Sequence, residues 1–198
     1  MPHQIEIVPT ISNADTLVIM GRASQLHTFN IQPHIDINPL EWEAMLNRLN
    51  GGSKGQVLSN FVGKRQLFVI VLPRSYSRHN SPSCAWAIPS LVKSIRGSNI
   101  GILSLANSED IAATAYGIAR GFPLFTKKTN QSSNKSIQIL FTEKHSPSEI
   151  QIGLDAVRQA AQYTEMPTNF FGVNEFIKEA QRIAQMPGVK LTTIRGEE

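Results

Sequence analysis

Cysteine is almost absent: Cys84 is the single one in a chain of 198 residues. This excludes an internal disulfide framework and a zinc site built from several thiolates, and it fits a reducing compartment, with the cytoplasm as the expected location. Long hydrophobic runs are lacking too. None approaches the roughly 18 to 20 residues of a membrane span, and Met1 to Pro9 has neither a basic start nor a long apolar middle, so no membrane partner is expected.

Acidic residues are missing over one long stretch. From Ala44 to Ser108 there is no Asp or Glu, while Arg48, Lys54, Lys64, Arg65, Arg74, Arg78, Lys93 and Arg96 all fall inside it. Such a basic middle attracts phosphate or acidic partners, or else is a surface whose acids lie elsewhere in space or on a partner. No aromatic residues interleave these charges as in a base-stacking groove, which counts against a nucleic-acid partner.

Recognisable reaction motifs are also lacking. There is no H-E-x-x-H, and His3, His27, His34, His79 and His145 are scattered, with no pair at helical ligand spacing. His34 and Asp36 would share one side of a strand, but a loop histidine is the simpler reading. No G-x-S-x-G elbow exists. "LNGGSKGQ", Leu49 to Gln56, has the glycines and lysine of a phosphate loop without its spacing, and reads as a flexible loop. Cys84 lies near His79 in sequence, which shows neither a base in reach nor a lowered pKa; a buried, inert thiol on a helix is expected.

What is present is a core. Hydrophobic residues make up 41% of the chain, enough for one domain. "QIEIV", "TLVIMG", "QLFVIVLP", "NIGILSL", "SIQILFT" and "VKLTTI" read as strands, and the near-continuous apolar run of the third marks a strand buried on both faces. In "NPLEWEAMLNRLNGG", Asn38 caps, Pro39 takes the first helical position, and Trp42, Met45, Leu46 and Leu49 form the core face. "NSEDIAATAYGIARGF" carries a stripe of Ile111, Ala112, Ala115, Ile118, Ala119 and Phe122, whose small residues imply close packing. "SPSEIQIGLDAVRQAAQY" starts with Ser146, Pro147 and Glu149 in a capping-box pattern, and Ile150, Leu154, Val157 and Ala161 line one side. In "NEFIKEAQRIAQMPG", Phe176, Ile177, Ala180, Ile183 and Ala184 share a face that ends at Pro187-Gly188. Strands alternating with helices predict an α/β fold, a layered mixed sheet flanked by helices. "KKTNQSSNK", Lys127 to Lys135, reads as a polar loop.

"SRHNSPS", Ser77 to Ser83, is a strand-to-helix junction. Asn80 or Ser81 accepts from free backbone N–H groups, Pro82 suits the first helical position, and Pro89 either kinks the helix or delays its start. Arg78 and His79 then sit where a helix N-terminus favours anions.

In order and spacing, "SRHNSPS", "GIARGFPLFTKK", "AAQYTEMPTNFFGVNEFIKEA" and "TTIRGEE" resemble the amino-terminal part of the leucyl (cytosol) aminopeptidases, nearest to the animal aminopeptidase-like branch. Glu165, Pro167, Asn169 and Phe176 occupy the positions of the family segment; Gln162 stands where the family often has arginine, Met166 where a small residue is common, and Pro89 is a further departure. The resemblance implies an amino-terminal domain similar to the macro-domain fold, a linking helix, and a larger domain that does the chemistry. In such enzymes two divalent metals, zinc or manganese, are held by lysine and carboxylate ligands, including a signature like N-T-D-A-E-G-R, and members commonly assemble as hexamers. That signature does not occur here, so no residue of this chain inherits a catalytic, cofactor-binding or metal-binding role.

The expectation is therefore an α/β domain over residues 1–145, followed over 146–198 by linking helices and a strand leading toward an absent catalytic domain. Its function is that of the non-catalytic amino-terminal domain, or a truncated form, of a metallopeptidase removing N-terminal amino acids from peptides. A stand-alone macro-like module for a nucleotide or ADP-ribose, and a nucleic-acid binder using the basic middle, are the alternatives.

Overall fold

The structure, a computed structural model, describes residues 3–77, 79, 81–125, 134–194 and 196. Six strands form one sheet in the order β1-β6-β5-β2-β4-β3: β1 (Gln4–Ile7), β2 (Thr16–Gly21), β3 (Gln56–Val62), β4 (Arg65–Val71), β5 (Asn99–Ser104) and β6 (Ser136–Phe141). All neighbours run parallel except β3, which folds back on β4 through a tight turn at Gly63, where φ is +59°.

Period-2 alternation splits the core in two. Val18 and Met20 of β2, Phe68 and Ile70 of β4 and Ile100 and Ile102 of β5 point to one face, where they meet α3 (Ile88–Val92), α4 (Ile111–Gly121) and α5 (Pro147–Glu165). Leu17, Ile19, Leu67, Val69, Val71 and Leu103 point to the other, covered by α1 (Ala23–Thr28) and α2 (Pro39–Asn47). Covering both faces is why β2 and β4 are apolar at nearly every position. In α2 the Asn38 side chain accepts from Leu40 N at 2.9 Å, and Trp42, Met45 and Leu46 are buried as their spacing requires. On α4 the small residues allow close approach: a Cβ added at Gly117 would lie 2.9 Å from the Ala85 carbonyl oxygen and 3.0 Å from Ile88 Cβ. A last helix, α6 (Val173–Ile183), follows α5.

Several expectations are corrected. "VKLTTI" is not a strand: residues 189–194 are irregular, and Val189, Leu191 and Ile194 are exposed. The strand β3 went unpredicted, because Ser59 and Asn60 interrupt its apolar pattern on an exposed edge. After β4 the chain makes successive turns, closed by Cys84 N donating to Ser81 O at 3.0 Å and Ala87 N to Cys84 O at 2.9 Å. The helix begins only at Ile88, with Pro89 in its first turn, so Ser81, Pro82 and Ser83 lie in the first of these turns and do not start the helix. Ser146 precedes α5 without a side-chain capping bond, leaving Pro147 as the start signal.

Candidate functional site

In an open α/β sheet, ligands favour the crevice outside the carboxyl ends of parallel strands, where connections leave to opposite faces. Here that point lies between β2, which continues into α1 and α2, and β5, which continues into α4. The protein closes it with its own groups. Arg22 N donates to Gln25 Oε1 at 2.9 Å, and the Gln25 amide donates to Leu105 O at 2.5 Å and Asn107 Oδ1 at 3.1 Å. The Arg22 guanidinium donates to Pro82 O at 2.6 Å and pairs with Asp110 at 3.8 Å. Nothing in the sequence flagged this lattice, which joins residues as far apart as Arg22 and Asp110.

Nearby, Cys84 is buried in a turn, not on a helix, at a φ of +52°. Burial pushes its thiol up, with Asp110 adding to the shift and Arg22 opposing it, so the reactive thiolate is disfavoured. His34 lies in a loop stacked on Phe29 at 5.4 Å, and burial lowers its pKa; no strand carries it beside Asp36. Among the described residues no three His, Cys, Asp or Glu side chains converge in a way that could hold a metal ion, so these donors do not fit the dinuclear centre the resemblance implies.

The basic residues do not form one stripe. Arg65 starts β4 and Arg74 follows its far end, while Arg48 follows α2 and Lys93 follows α3. Arg78 and Asn80, and residues 126–133 of the polar loop, lie outside the described residues.

A second region is apolar and uncovered. Tyr163 of α5 stacks on Phe171 at 5.2 Å, Phe171 meets Phe176 edge-on at 5.9 Å, and Phe170 meets Phe125 edge-on at 5.9 Å. Glu179 of α6 accepts from the Arg182 guanidinium and the Tyr163 hydroxyl; these two bonds, Arg182 first, hold its carboxyl down to about 2. This fixes α6 against the end of α5. The apolar side of α6 is largely open among the described residues: no residue of the helix is buried, Phe176 is 62% exposed despite its contact with Phe171, Val173 is 78% exposed, and Met186, Val189, Leu191 and Ile194 extend the apolar surface. The spacing of Phe176, Ile177, Ala180 and Ile183 marks one side of the helix correctly, yet that side is not part of this chain's core. Glu165 ends α5, Pro167 and Asn169 lie in the connector, and Phe176 is on α6, so these four positions of the family segment run along the α5–α6 connection.

Residues 16–131 match the sequence profile described as M17 aminopeptidase N-terminal domain 2. The human protein named probable aminopeptidase NPEPL1 is 28% identical over 92% of this chain and 38% of its own length. Leucine aminopeptidase 1 of Caenorhabditis elegans is 25% identical over 79% of this chain and 33% of its own length. Among solved structures, the leucyl aminopeptidase of Leishmania major, 18% identical, superposes with a TM-score of 0.76 over 93% of this chain and 40% of that one. The Caenorhabditis elegans leucine aminopeptidase, 19% identical, gives 0.73 over 93% and 40%. The chain thus spans roughly two fifths of the length of relatives whose fold it shares. It belongs to the M17 aminopeptidase family and corresponds to that family's amino-terminal domain.

Proposed function

We propose that this domain is the non-catalytic front part of a metal-dependent aminopeptidase of M17 type, and that the apolar side of α6 is where the catalytic part docks. The supporting observation is the contrast between helices. In α2, α4 and α5 the apolar residues reach the core, whereas in α6 none is buried. An exposed apolar patch of this kind marks an interface. In this reading residues 1–145 form the body, and 146–198, beginning with α5 packed on that body's sheet, lead toward the catalytic domain. The two divalent metals, zinc or manganese, belong to that other domain, as does the release of N-terminal amino acids from peptides. The assembled protein works in the cytoplasm as a homo-oligomer, a hexamer by family likeness.

Two measurements test it. Antibody against this domain, used on denatured extracts of the source organism, should detect a band well above 21.9 kDa; a band at that mass means a free-standing module. The 198-residue chain, given manganese or zinc, should hydrolyse leucyl-p-nitroanilide no faster than buffer. Turnover that persists through repeated purification defeats the non-catalytic assignment.

A further inference from the structure

Beside the closed crevice, at the carboxyl ends of β2 and β4, lies a cleft of about 610 Å³. This is within the range of small-molecule sites. Its lining divides by chemistry: Arg22, Ser24, Arg74 and Tyr76 supply donors, while Leu49 and Leu72 supply an apolar floor. No Asp or Glu lines it.

The two arginines differ in what they have left to give. Arg22 is engaged by Asp110 and by the Pro82 carbonyl. Arg74 is exposed, and its guanidinium has no hydrogen bond or ion pair among the described residues, although its backbone is fixed by Arg74 N donating to Gly52 O at 2.9 Å. The glycine turn of "LNGGSKGQ" makes this anchoring possible. Gly51 sits at a φ of +66°, and a Cβ there would come within 2.8 Å of the Leu72 carbonyl oxygen; Gly55, at +77°, would meet the Val71 carbonyl oxygen at 2.8 Å. The turn therefore packs backbone against backbone on the end of β4. Its N–H groups are used internally, Gly52 N on Asn50 O at 2.7 Å and Gly55 N on Gly51 O at 2.6 Å. The glycines shape the rim, and the arginines supply the charge.

We propose that this cleft binds a small organic anion, a phosphate monoester or a carboxylate with an apolar body, with Arg74 taking the acid group and Leu49 and Leu72 holding the body. A guanidinium fork suits either oxyanion, and a cleft free of carboxylates concentrates negative ligands. The site is at the strand ends and is independent of the α6 surface.

The test is an amide-resonance titration of the full chain with phenyl phosphate and, separately, phenylacetate, which share an apolar body and differ in the acid group; benzyl alcohol is the uncharged control. Saturable shifts confined to Gly52, Leu72, Arg74 and Tyr76 with one of the acids are expected, and which acid binds tighter identifies the group. Arg74→Gln should weaken binding at least tenfold, Arg74→Lys less, and Lys93→Gln not at all. Shifts that never saturate, that spread over all basic residues, or that match in the Arg74→Gln and Lys93→Gln proteins overturn the proposal, as do equal shifts with benzyl alcohol.

Discussion

Arg158 of α5 donates a 2.6 Å hydrogen bond to the backbone carbonyl of His3, 155 positions earlier in the chain. It also reaches the Phe122 carbonyl at 3.4 Å. His3 completes the cluster, its ring Nδ1 accepting from Lys135 N at 3.2 Å and its edge meeting Phe122. The Lys135 ammonium donates to Ile95 O at 2.9 Å and lies 5.6 Å from the Phe122 ring centre. A start, a strand, and the ends of two helices are tied together by two cations and one neutral imidazole.

That arrangement sets a pH dependence. Burial, then Lys135, then Arg158 lower the pKa of His3 below the ordinary 6.5. The unfolded chain therefore takes up the proton first as pH falls, so the contribution of His3 is fully present above about 6.5 and lost progressively below it. Urea midpoints should fall between pH 7 and pH 5, and the fall should be smaller in His3→Gln, which keeps an acceptor and cannot titrate. An identical fall in both proteins would remove His3 from the account; His34 remains in both and cancels.

Gln151 of α5 acts as a substitute strand residue at the edge of the sheet. Its amide oxygen accepts from Ile7 N at 3.0 Å and its nitrogen donates to Ile5 O at 3.0 Å, closing part of the free side of β1. Gln151→Leu should cost about 1–2 kcal/mol in urea unfolding from the two lost bonds. Gln151→Glu should cost more, because a carboxylate would face the Ile5 carbonyl and stand near Asp155 four residues on. Equal stability of all three proteins would show that water serves the edge as well.

Gly117 lies where α4 packs on the Ala85 turn and the start of α3. In an exposed helix, glycine to alanine gains about 1 kcal/mol, but here the added methyl would press on the Ala85 backbone carbonyl, which has no side-chain freedom to yield. Overpacking of this kind typically costs 1–3 kcal/mol, so Gly117→Ala should lower the melting temperature. A higher one would mean the two helices separate easily.

Thr114, also on α4, is 1% exposed, and its hydroxyl has no hydrogen-bond partner among the described residues. Thr114→Val keeps the branched shape and removes the unsatisfied group, which should add about 1 kcal/mol, or roughly 2–4 °C in melting temperature. Loss of stability would point to a bond formed by that hydroxyl in solution.

The sheet's centre was legible in the sequence because burial on both faces leaves no polar interruption in β2 and β4. One edge was not: β3 is half exposed, so Ser59 and Asn60 are tolerated and the strand signal fades. "VKLTTI" shows the converse error, since alternation records what a segment could pair with, and among the described residues no strand pairs with it. The same distinction applies to α6. Its spacing named the apolar residues, but spacing does not say whether the surface that covers them belongs to the same domain. The switch-point lattice of Arg22, Gln25, Asn107 and Asp110 was not legible, because apart from Arg22 N on Gln25 its bonds span a chain crossing.

The clasp of Gln151 on Ile7 also bears on synthesis. β1 is made before the rest of the sheet, yet its strand partner and its clasp come much later, Gln151 lying 144 residues after Ile7. At ordinary elongation rates this is an interval on the order of ten seconds. Throughout it "QIEI" emerges as a short ribbon with unpaired backbone on both sides, while β2, β4 and β5 already have one another. On the nascent chain, β2, β4 and β5 can therefore pair with one another before β1 can join them.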